Sequence, residues 1–172
     1  MADDEGPAPR ALTKNPLGPS GRAVAANIEH LRTAQNFTFV ALSEQLETLG
    51  RPIPPLGLRK IVAETRRVDA DDLVAIAVVL NVSPASLLMP NLSAVAEDDL
   101  VDVTGWHKPV LAQHVWKWLT ATRPFVGAAL GSFVDRALPS WERDKWRIEA
   151  HARVLDELQG GGRRREQADG DD

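Results

Sequence analysis

The sequence predicts an all-α protein. Apolar residues recur at intervals of three and four in successive segments, which is the spacing of one buried face on a helix. Prolines, glycines and short polar residues separate these segments at the points where helices are expected to begin and end. A strand-like pattern is limited to the LVDVTG stretch, which the sequence leaves open as either a linker or a sheet edge. The 172 residues allow one ordinary domain with appendages or two small domains.

Composition excludes several classes of protein. The chain is 44% apolar and 26% charged, as is usual for a globular protein, and no apolar run has the length of a membrane span. The acidic, Pro/Gly-rich N-terminus does not resemble a secretory signal, so we expect a cytoplasmic protein. The absence of cysteine excludes disulfides, thiol nucleophiles and cysteine-based zinc sites.

Positive charge is concentrated in one segment of a chain whose net charge is −4. A negative chain is a poor partner for nucleic acid unless its cations are clustered. Between residues 51 and 67, Glu64 is the only acid. The basic residues of this segment are Arg51, Arg59, Lys60, Arg66 and Arg67. The distribution therefore predicts a local positive face.

Two helices are predicted before this basic segment. The first begins near Gly21, and its expected inward residues are Val24, Ile28 and Leu31, with Asn27, Arg32 and Gln35 outward. The second follows Thr38, a good N-cap, and ends at Gly50, a good C-terminal stop. Its expected buried stripe is Leu42, Leu46 and Leu49.

The basic segment itself predicts a third helix that starts near Pro54 or Pro55, since proline is tolerated in a first helical turn. Leu58 and Ile61 would point inward, with Val62 partly buried. The residues expected outward or along the rim are Leu56, Gly57, Arg59, Lys60 and Ala63.

Two further helices are predicted after the basic segment. Asp71 and Asp72 suit the positive N-terminal end of a fourth helix, and Asn81 is expected in a left-handed conformation after it. Its expected inward residues are Leu73, Ile76, Ala77 and Leu80. A short fifth helix would start from Ser83 and bury Leu87 and Leu88.

Four blocks in this order, NIEHLR, LSEQL, PPLGLRKIV and RRVDADDLVAIAVVLNVSPASLL, resemble the lambda-repressor-like helix-turn-helix proteins of the xenobiotic-response-element (XRE) type, in their actinobacterial or actinobacteriophage form. The resemblance covers residues 21–90 and implies a five-helix DNA-binding domain. This chain departs from the family at Glu64, where a glycine is usual, and in a longer turn between the second and third helices.

The resemblance implies that the third helix enters the major groove, where arginine and lysine can donate to O6 and N7 of guanine. The candidate base-reading residues are Pro55, Leu56, Gly57, Arg59 and Lys60. The candidate phosphate-binding residues, which would fix the register on DNA, are Arg32, Thr38, Arg51, Arg66 and Arg67. The alternative is that the basic run is only the solvated rim of a helical core.

The predicted organisation has five parts. These are a flexible arm (1–20), the helix-turn-helix domain (21–90), an acidic linker (91–104), a tryptophan-rich helical domain (105–159) and a flexible tail (160–172). Within the fourth part, HKPVLAQHVWKWLTA predicts an amphipathic helix that buries Val110, Leu111, His114, Val115, Trp118 and Leu119. In a last helix from Ser140, one face would carry Trp141, Ile148, Ala152 and Leu155.

All five tryptophans, Trp106, Trp116, Trp118, Trp141 and Trp146, lie in the second half of the chain. We expect them to pack in the core of a small helical unit, and the alternative is a surface for a partner or for a second copy of the chain. Candidate DNA or partner contacts in this half are Lys108, Trp116, Lys117, Arg123 and Arg147.

The sequence predicts no catalytic residue, metal site or cofactor. His107 and His114 are two helical turns apart, too far for one metal ion, and no HExxH motif is present. A nucleophile–base pair and a phosphate-binding loop are also missing from the pattern. An enzyme is therefore the least favoured class.

The leading hypothesis is a sequence-specific regulator of transcription that binds double-stranded DNA and acts as a repressor near the nucleoid. By resemblance, the sharper version is an immunity repressor of a temperate phage or mobile element. Dimers on two half-sites are common among such proteins. The alternative is an adaptor or antitoxin that binds another protein through the tryptophan-rich half. Salt-sensitive DNA binding would separate the two hypotheses.

Overall fold

The computed structural model describes residues 16–125 and 127–152, and this part of the chain is mainly helical. Along the chain, its elements are α1 (Pro19–Ala34), α2 (Phe39–Thr48), α3 (Pro55–Val62), α4 (Ala70–Val79), α5 (Pro84–Leu88), β1 (Leu100–Val101), β2 (Val110–Leu111), α6 (Ala112–Leu119) and α7 (Leu130–Ala137). Residues 140–152 are also helical. The predicted all-α fold is confirmed in part, because the described residues are mainly helical but also contain a two-stranded sheet.

The chain divides into two compact units, Met1–Val115 and Trp116–Asp172, and the boundary falls inside α6. The acidic linker had been expected at residues 91–104. Instead, β1 pairs antiparallel with β2, with Leu100 opposite Leu111, so the chain on both sides of residue 104 belongs to the first unit. The expected arm and tail lie largely outside the described residues, and α1 begins at Pro19, within the expected arm.

Short polar side chains cap three of the helices in the first unit. Thr38 Oγ1 accepts from the Ala41 amide at 3.0 Å, and Ser83 Oγ accepts from the Ser86 amide at 3.1 Å. Asp69 caps α4 by accepting from the amide of Asp72 at 2.8 Å. Each cap satisfies an N–H group that the helix leaves without a partner. The predicted starts at Thr38 and Ser83 are confirmed.

A residue with a positive φ follows each of the helices α1 to α4, and after α1 this residue is Asn36, with φ 58°. Gly50 after α2 has φ 74° and Asn81 after α4 has φ 53°, as the sequence predicted. Glu64 after α3 has φ 59°. Glycine adopts this conformation without a steric cost, whereas glutamate does not. The backbone at position 64 therefore favours a glycine.

One apolar core lies in the first unit. α2 packs against α3 and α4, while α1 packs against α3 and α5. The core residues are Val24, Ile28, Leu42, Leu46, Ile53, Leu58, Ile61, Ile76, Ala77, Leu80 and Leu87. Leu31, Leu73 and Leu88 are partly buried against it. Leu49 was expected inside but is exposed, because α2 ends at Thr48 and Leu49 is its C-cap.

Asn27 was predicted to face outward, and this prediction is wrong. The residue is buried, and its Nδ2 donates to the backbone oxygens of Leu87 at 2.9 Å and Met89 at 2.7 Å. A third contact to the Ser86 oxygen is 3.3 Å long. These carbonyls lie at the end of α5, where the helix supplies no donors for them. One buried amide therefore ties α1 to the end of α5.

The second half also differs from its predicted pattern. Val110 and Leu111 form β2 rather than the first turn of a helix, and His114, expected inside, is exposed. In the second unit Val134 is buried, and the rings of Trp118 and Phe125 meet edge to face at 5.0 Å. No helix among the described residues is long and apolar enough to cross a membrane.

The expectation that the tryptophans form a core is contradicted. Trp106, Trp116, Trp118 and Trp141 are exposed, and Trp146 is half-buried. On the last helix, Trp141 is 64% exposed and Ile148 is 70% exposed. Ala152 is exposed too, and Leu155 lies outside the described residues.

Candidate nucleic-acid interface

One face of α3 is buried in the core of the first unit, and the opposite face is exposed to solvent. Leu58 and Ile61 are buried in the core of the first unit. Leu56 is 63% exposed, and Arg59 and Lys60 are exposed as well. The split follows from the 3.6-residue period, which turns positions 58 and 61 to one side and positions 56, 59 and 60 away from it. α3 thus presents one apolar and two cationic side chains to solvent.

Two of the five candidate base-reading residues are less accessible. Pro55 and Gly57 are half-buried. A Cβ built on Gly57 would lie 2.6 Å from Nη1 of Arg66 and 3.2 Å from Cγ2 of Ile53. The missing side chain at Gly57 lets the Arg66 guanidinium lie against the start of α3. The outward face of α3 therefore consists of Leu56, Arg59 and Lys60.

Two candidate phosphate-binding arginines share one buried carboxylate. Arg51 Nε and Arg66 Nη2 each donate to Asp72 at 2.8 Å, one to each oxygen. The Asp72 side chain is only 3% exposed, while the two arginine side chains are 39% and 37% exposed. Arg51 also pairs with Asp69 at 2.9 Å. Chiefly through its hydrogen bond to Asp72, the pKa of Arg51 is raised, so its charge is secure.

The other three candidate phosphate contacts are also engaged within the chain. Arg32 is 15% exposed, and it donates to Glu29 Oε2 at 2.9 Å and to the Phe37 oxygen at 2.6 Å. Thr38 uses its hydroxyl oxygen as the cap of α2. Arg67 Nη2 donates to the Pro16 oxygen at 2.8 Å, although the residue is exposed.

Arg59 and Lys60 are the two cations on the outward face of α3. Neither forms a salt bridge within the part of the chain that the structure describes. No protein-family model, curated protein or solved structure matches this chain.

The candidate contacts of the second half lie in different units. Lys108 is exposed in the segment between β1 and β2 of the first unit. Trp116, Lys117, Arg123 and Arg147 belong to the second unit. There, Trp116 and Arg123 are exposed, and Arg147 Nη2 donates to Asp135 Oδ1 at 2.8 Å. Within the described residues no group of three histidine or acidic side chains could hold a metal ion.

One aromatic contact at the outward face of α3 was not predicted from the sequence. Two guanidinium groups lie over the ring of Phe39, the first residue of α2. Cζ of Arg32 is 4.2 Å and Cζ of Arg59 is 4.9 Å from the ring centroid. The sequence shows that Phe39 directly follows the predicted N-cap Thr38, but the contact between Phe39 and α3 depends on how the helices pack.

Proposed function

We propose that this protein is a sequence-specific regulator of transcription that binds double-stranded DNA with α3 in the major groove. The observation that carries the proposal is the division of α3 between two buried anchors, Leu58 and Ile61, and an outward face of Leu56, Arg59 and Lys60. A helix seated on a core with a basic outer edge is the arrangement by which helix-turn-helix proteins present side chains to base edges.

The chemistry of the outward face suits base edges. Arg59 can donate two hydrogen bonds to O6 and N7 of one guanine, and Lys60 can reach the same atoms or a phosphate. Leu56 offers an apolar surface to the methyl group of thymine. A helix fits the width of the major groove but not that of the minor groove. These three side chains can therefore distinguish base pairs without any cofactor.

Charge also determines how such binding responds to salt. The chain carries a net charge of −4, and Arg51 and Arg66 are partly neutralised by Asp72. Few cations remain for phosphates, so affinity for random DNA should be weak at physiological salt. Direct contacts to bases would then account for a large share of the specific affinity.

The regulator is proposed to act as a repressor that occupies a promoter, with its place of action at the nucleoid. The resemblance of residues 21–90 to XRE-type proteins supports this proposal and its sharper version, an immunity repressor of a phage or mobile element. Binding as a dimer to two half-sites about one helical turn apart would fit that class. Such a repressor needs only to exclude other proteins from its site.

The test is selection of DNA fragments from the genome that encodes the protein. Purified protein is incubated with fragmented DNA at low salt, and the bound fragments are sequenced. We expect a short enriched motif, and we expect the double variant Arg59→Ala/Lys60→Ala to lose it. A matched control is Arg136→Ala/Lys145→Ala, which removes the same charge from exposed positions of the second unit.

The control separates recognition from net charge. If both double variants lose the motif equally, charge alone explains binding and α3 is not the recognition element. If the native protein enriches nothing at low salt, the regulator hypothesis fails. Retention of the motif by the control and its loss in the α3 variant would support the proposal.

A second candidate function is binding of another protein by the second unit. Trp141 and Ile148 favour it, because both are exposed and lie seven residues apart on one helix. Tryptophan is enriched among the residues that dominate protein interfaces. An adaptor or antitoxin of this kind would show no salt-sensitive DNA binding. Trp141→Ser/Ile148→Ser would weaken its partner complex but leave the DNA-binding behaviour of a regulator unchanged.

A further inference from the structure

The ring of Phe39 connects a fixed arginine to the outward face of α3. Phe39 is half-buried and packs against the core of the first unit. The guanidinium carbon of Arg32 lies 4.2 Å from its ring centroid, and that of Arg59 lies 4.9 Å away. Both distances are within the range at which a cation is attracted to an aromatic face.

Arg32 is held on the ring by other contacts. Its Nε donates to Glu29 and its Nη1 donates to the backbone oxygen of Phe37. Its side chain is almost covered, and Glu29 balances its charge. Arg32 is therefore held in place beside Phe39, and Phe39 packs against the core of the first unit.

Arg59 differs because it is exposed, and within the described residues its side chain forms no hydrogen bond or salt bridge besides its contact with the ring. Stacking uses the flat face of the guanidinium and leaves the N–H groups at its edge available. An arginine that is already ordered loses less side-chain freedom when it binds a base. Lys60, the next residue, has no aromatic contact within the described residues and carries a point charge on a flexible stem.

From this difference we propose that Phe39 is a positioning residue for Arg59, and that Arg59 rather than Lys60 determines specificity by donating to one guanine of the recognised DNA. The proposal rests on the proposed function, since it assigns roles within the same face. Lys60 then contributes mainly to affinity through a phosphate. Phe39 itself makes no contact with the base in this scheme.

The experiment measures preference and salt dependence separately. Binding of the full chain to the selected motif, and to versions with each guanine replaced, gives a discrimination ratio at every position. Affinity for random DNA across a salt series gives the number of phosphates contacted. The variants are Phe39→Leu, Phe39→Tyr, Arg59→Ala, Arg59→Lys and Lys60→Ala.

Phe39→Leu keeps apolar volume but removes the aromatic face. We expect it to lower discrimination at one guanine about two- to fivefold, with the salt slope and the affinity for random DNA unchanged. Phe39→Tyr, which retains the ring, should restore the preference. Arg59→Ala should abolish preference at the same guanine, and adding Phe39→Leu to it should cause no further loss, because the two changes remove one interaction.

The variants at Arg59 and Lys60 separate the roles of these two cations. Lys60→Ala should weaken binding to all sequences alike and lower the salt slope by about one. Arg59→Lys keeps the charge at an exposed position and does not disturb the core. Lysine can still reach the guanine but lacks the flat guanidinium that stacks on the ring, so this variant should lose part of the preference at that guanine without a change in slope. This variant gives a result even if Phe39→Leu unfolds the protein.

Two results would overturn the roles inferred for Phe39 and Arg59 without contradicting the proposed DNA-binding function. One is unchanged preference in Phe39→Leu or Arg59→Lys, and the other is a uniform loss for all sequences in Phe39→Leu without rescue by Phe39→Tyr. Absence of any binding by the native protein at low salt would instead overturn the proposed function, and this inference with it.

Discussion

Nε of Arg51 donates a 2.8 Å hydrogen bond to Oδ1 of Asp72, a carboxylate that is buried in α4. The other oxygen of Asp72 accepts from Arg66. Arg51 belongs to the turn before α3 and Arg66 to the turn after it. One buried acid therefore fixes both chain segments that lead into and out of the proposed recognition helix.

Removal of that acid should destabilise the fold. Asp72→Ala leaves two arginines without their buried partner, but both are more than a third exposed, so water recovers part of their solvation. We expect the free energy of unfolding to fall by about 2–3 kcal/mol. Urea denaturation measures it, with the exposed neighbour Asp71→Ala as the control, for which we expect under about 0.5 kcal/mol. Equal midpoints for the two variants would contradict the role given to Asp72.

Lowering the pH should destabilise the folded protein by protonating Asp69, which pairs with Arg51 in the same cluster. The pKa of Asp69 is lowered, first by the hydrogen bond from the Asp72 backbone amide and then by Arg51. A carboxylate with a lowered pKa stabilises the folded state above its ordinary pKa, and this stabilisation is lost as the pH falls through the folded value. Asp69→Asn keeps a cap acceptor but cannot ionise.

Paired thermal melts of the native protein and Asp69→Asn measure this contribution. We expect the native protein to melt higher at neutral pH and the difference to close as the pH falls below about 4. Other carboxylates titrate in both proteins, so their effects cancel in the difference. A difference that stays constant from neutral pH to about pH 3 would show that the charge of Asp69 does not contribute.

Local features of this fold could be predicted from the sequence. The caps at Thr38 and Ser83 and the left-handed residues Gly50 and Asn81 depend on residues next to them in the chain. The outward position of Arg59 on α3 followed from helical periodicity.

Features that depend on distant residues were missed. Asp72 meets Arg51 across 21 positions and Asn27 meets Leu87 across 60, so no local pattern reveals either contact. The apolar pair Val110 and Leu111 was assigned to a helix because a short run does not show its cross-strand partner. At the candidate site, the contact of Phe39 with Arg59 also joins two different helices, so it was not predicted from the sequence.

The buried amide of Asn27 should be intolerant of a charge. Asn27→Asp replaces a donor by an acceptor that faces the carbonyl oxygens of Leu87 and Met89. We expect a loss of stability of at least about 2 kcal/mol, because buried polar groups would be left without partners. Chemical denaturation at neutral pH provides the value. A matched Asn91→Asp variant, at an exposed position, should change it little, and similar losses in both would argue against the burial of Asn27.

The backbone at Glu64 offers a route to greater stability. Glu64 is exposed and has φ 59°, a conformation that costs a residue with a Cβ about 1–2 kcal/mol. Glu64→Gly removes this steric cost, although glycine loses more chain entropy on folding. We expect a net gain of up to about 1 kcal/mol, measured as a higher denaturation midpoint. Ala63→Gly, one residue earlier and at a negative φ of −78°, should lower the midpoint.

The two leucines at the start of α3 test which face of the helix is anchored. Leu58 is fully buried and Leu56 is 63% exposed, so the same truncation samples opposite sides of one helix. Leu58→Ala should cost about 2–5 kcal/mol, since it removes packed methyl groups and leaves a cavity. Leu56→Ala should stay within about 0.5 kcal/mol.

The same pair also connects stability to the proposed function. Leu56→Ala should fold like the native protein but lose part of its preference at a thymine, because only the exposed leucine is free to reach a base. Leu58→Ala, studied at a temperature where it remains folded, should keep that preference. If Leu56→Ala caused the large loss of stability instead, α3 would be rotated by about half a turn. Arg59 and Lys60 would then not lie on its outward face, and the basis for DNA recognition by this helix would be removed.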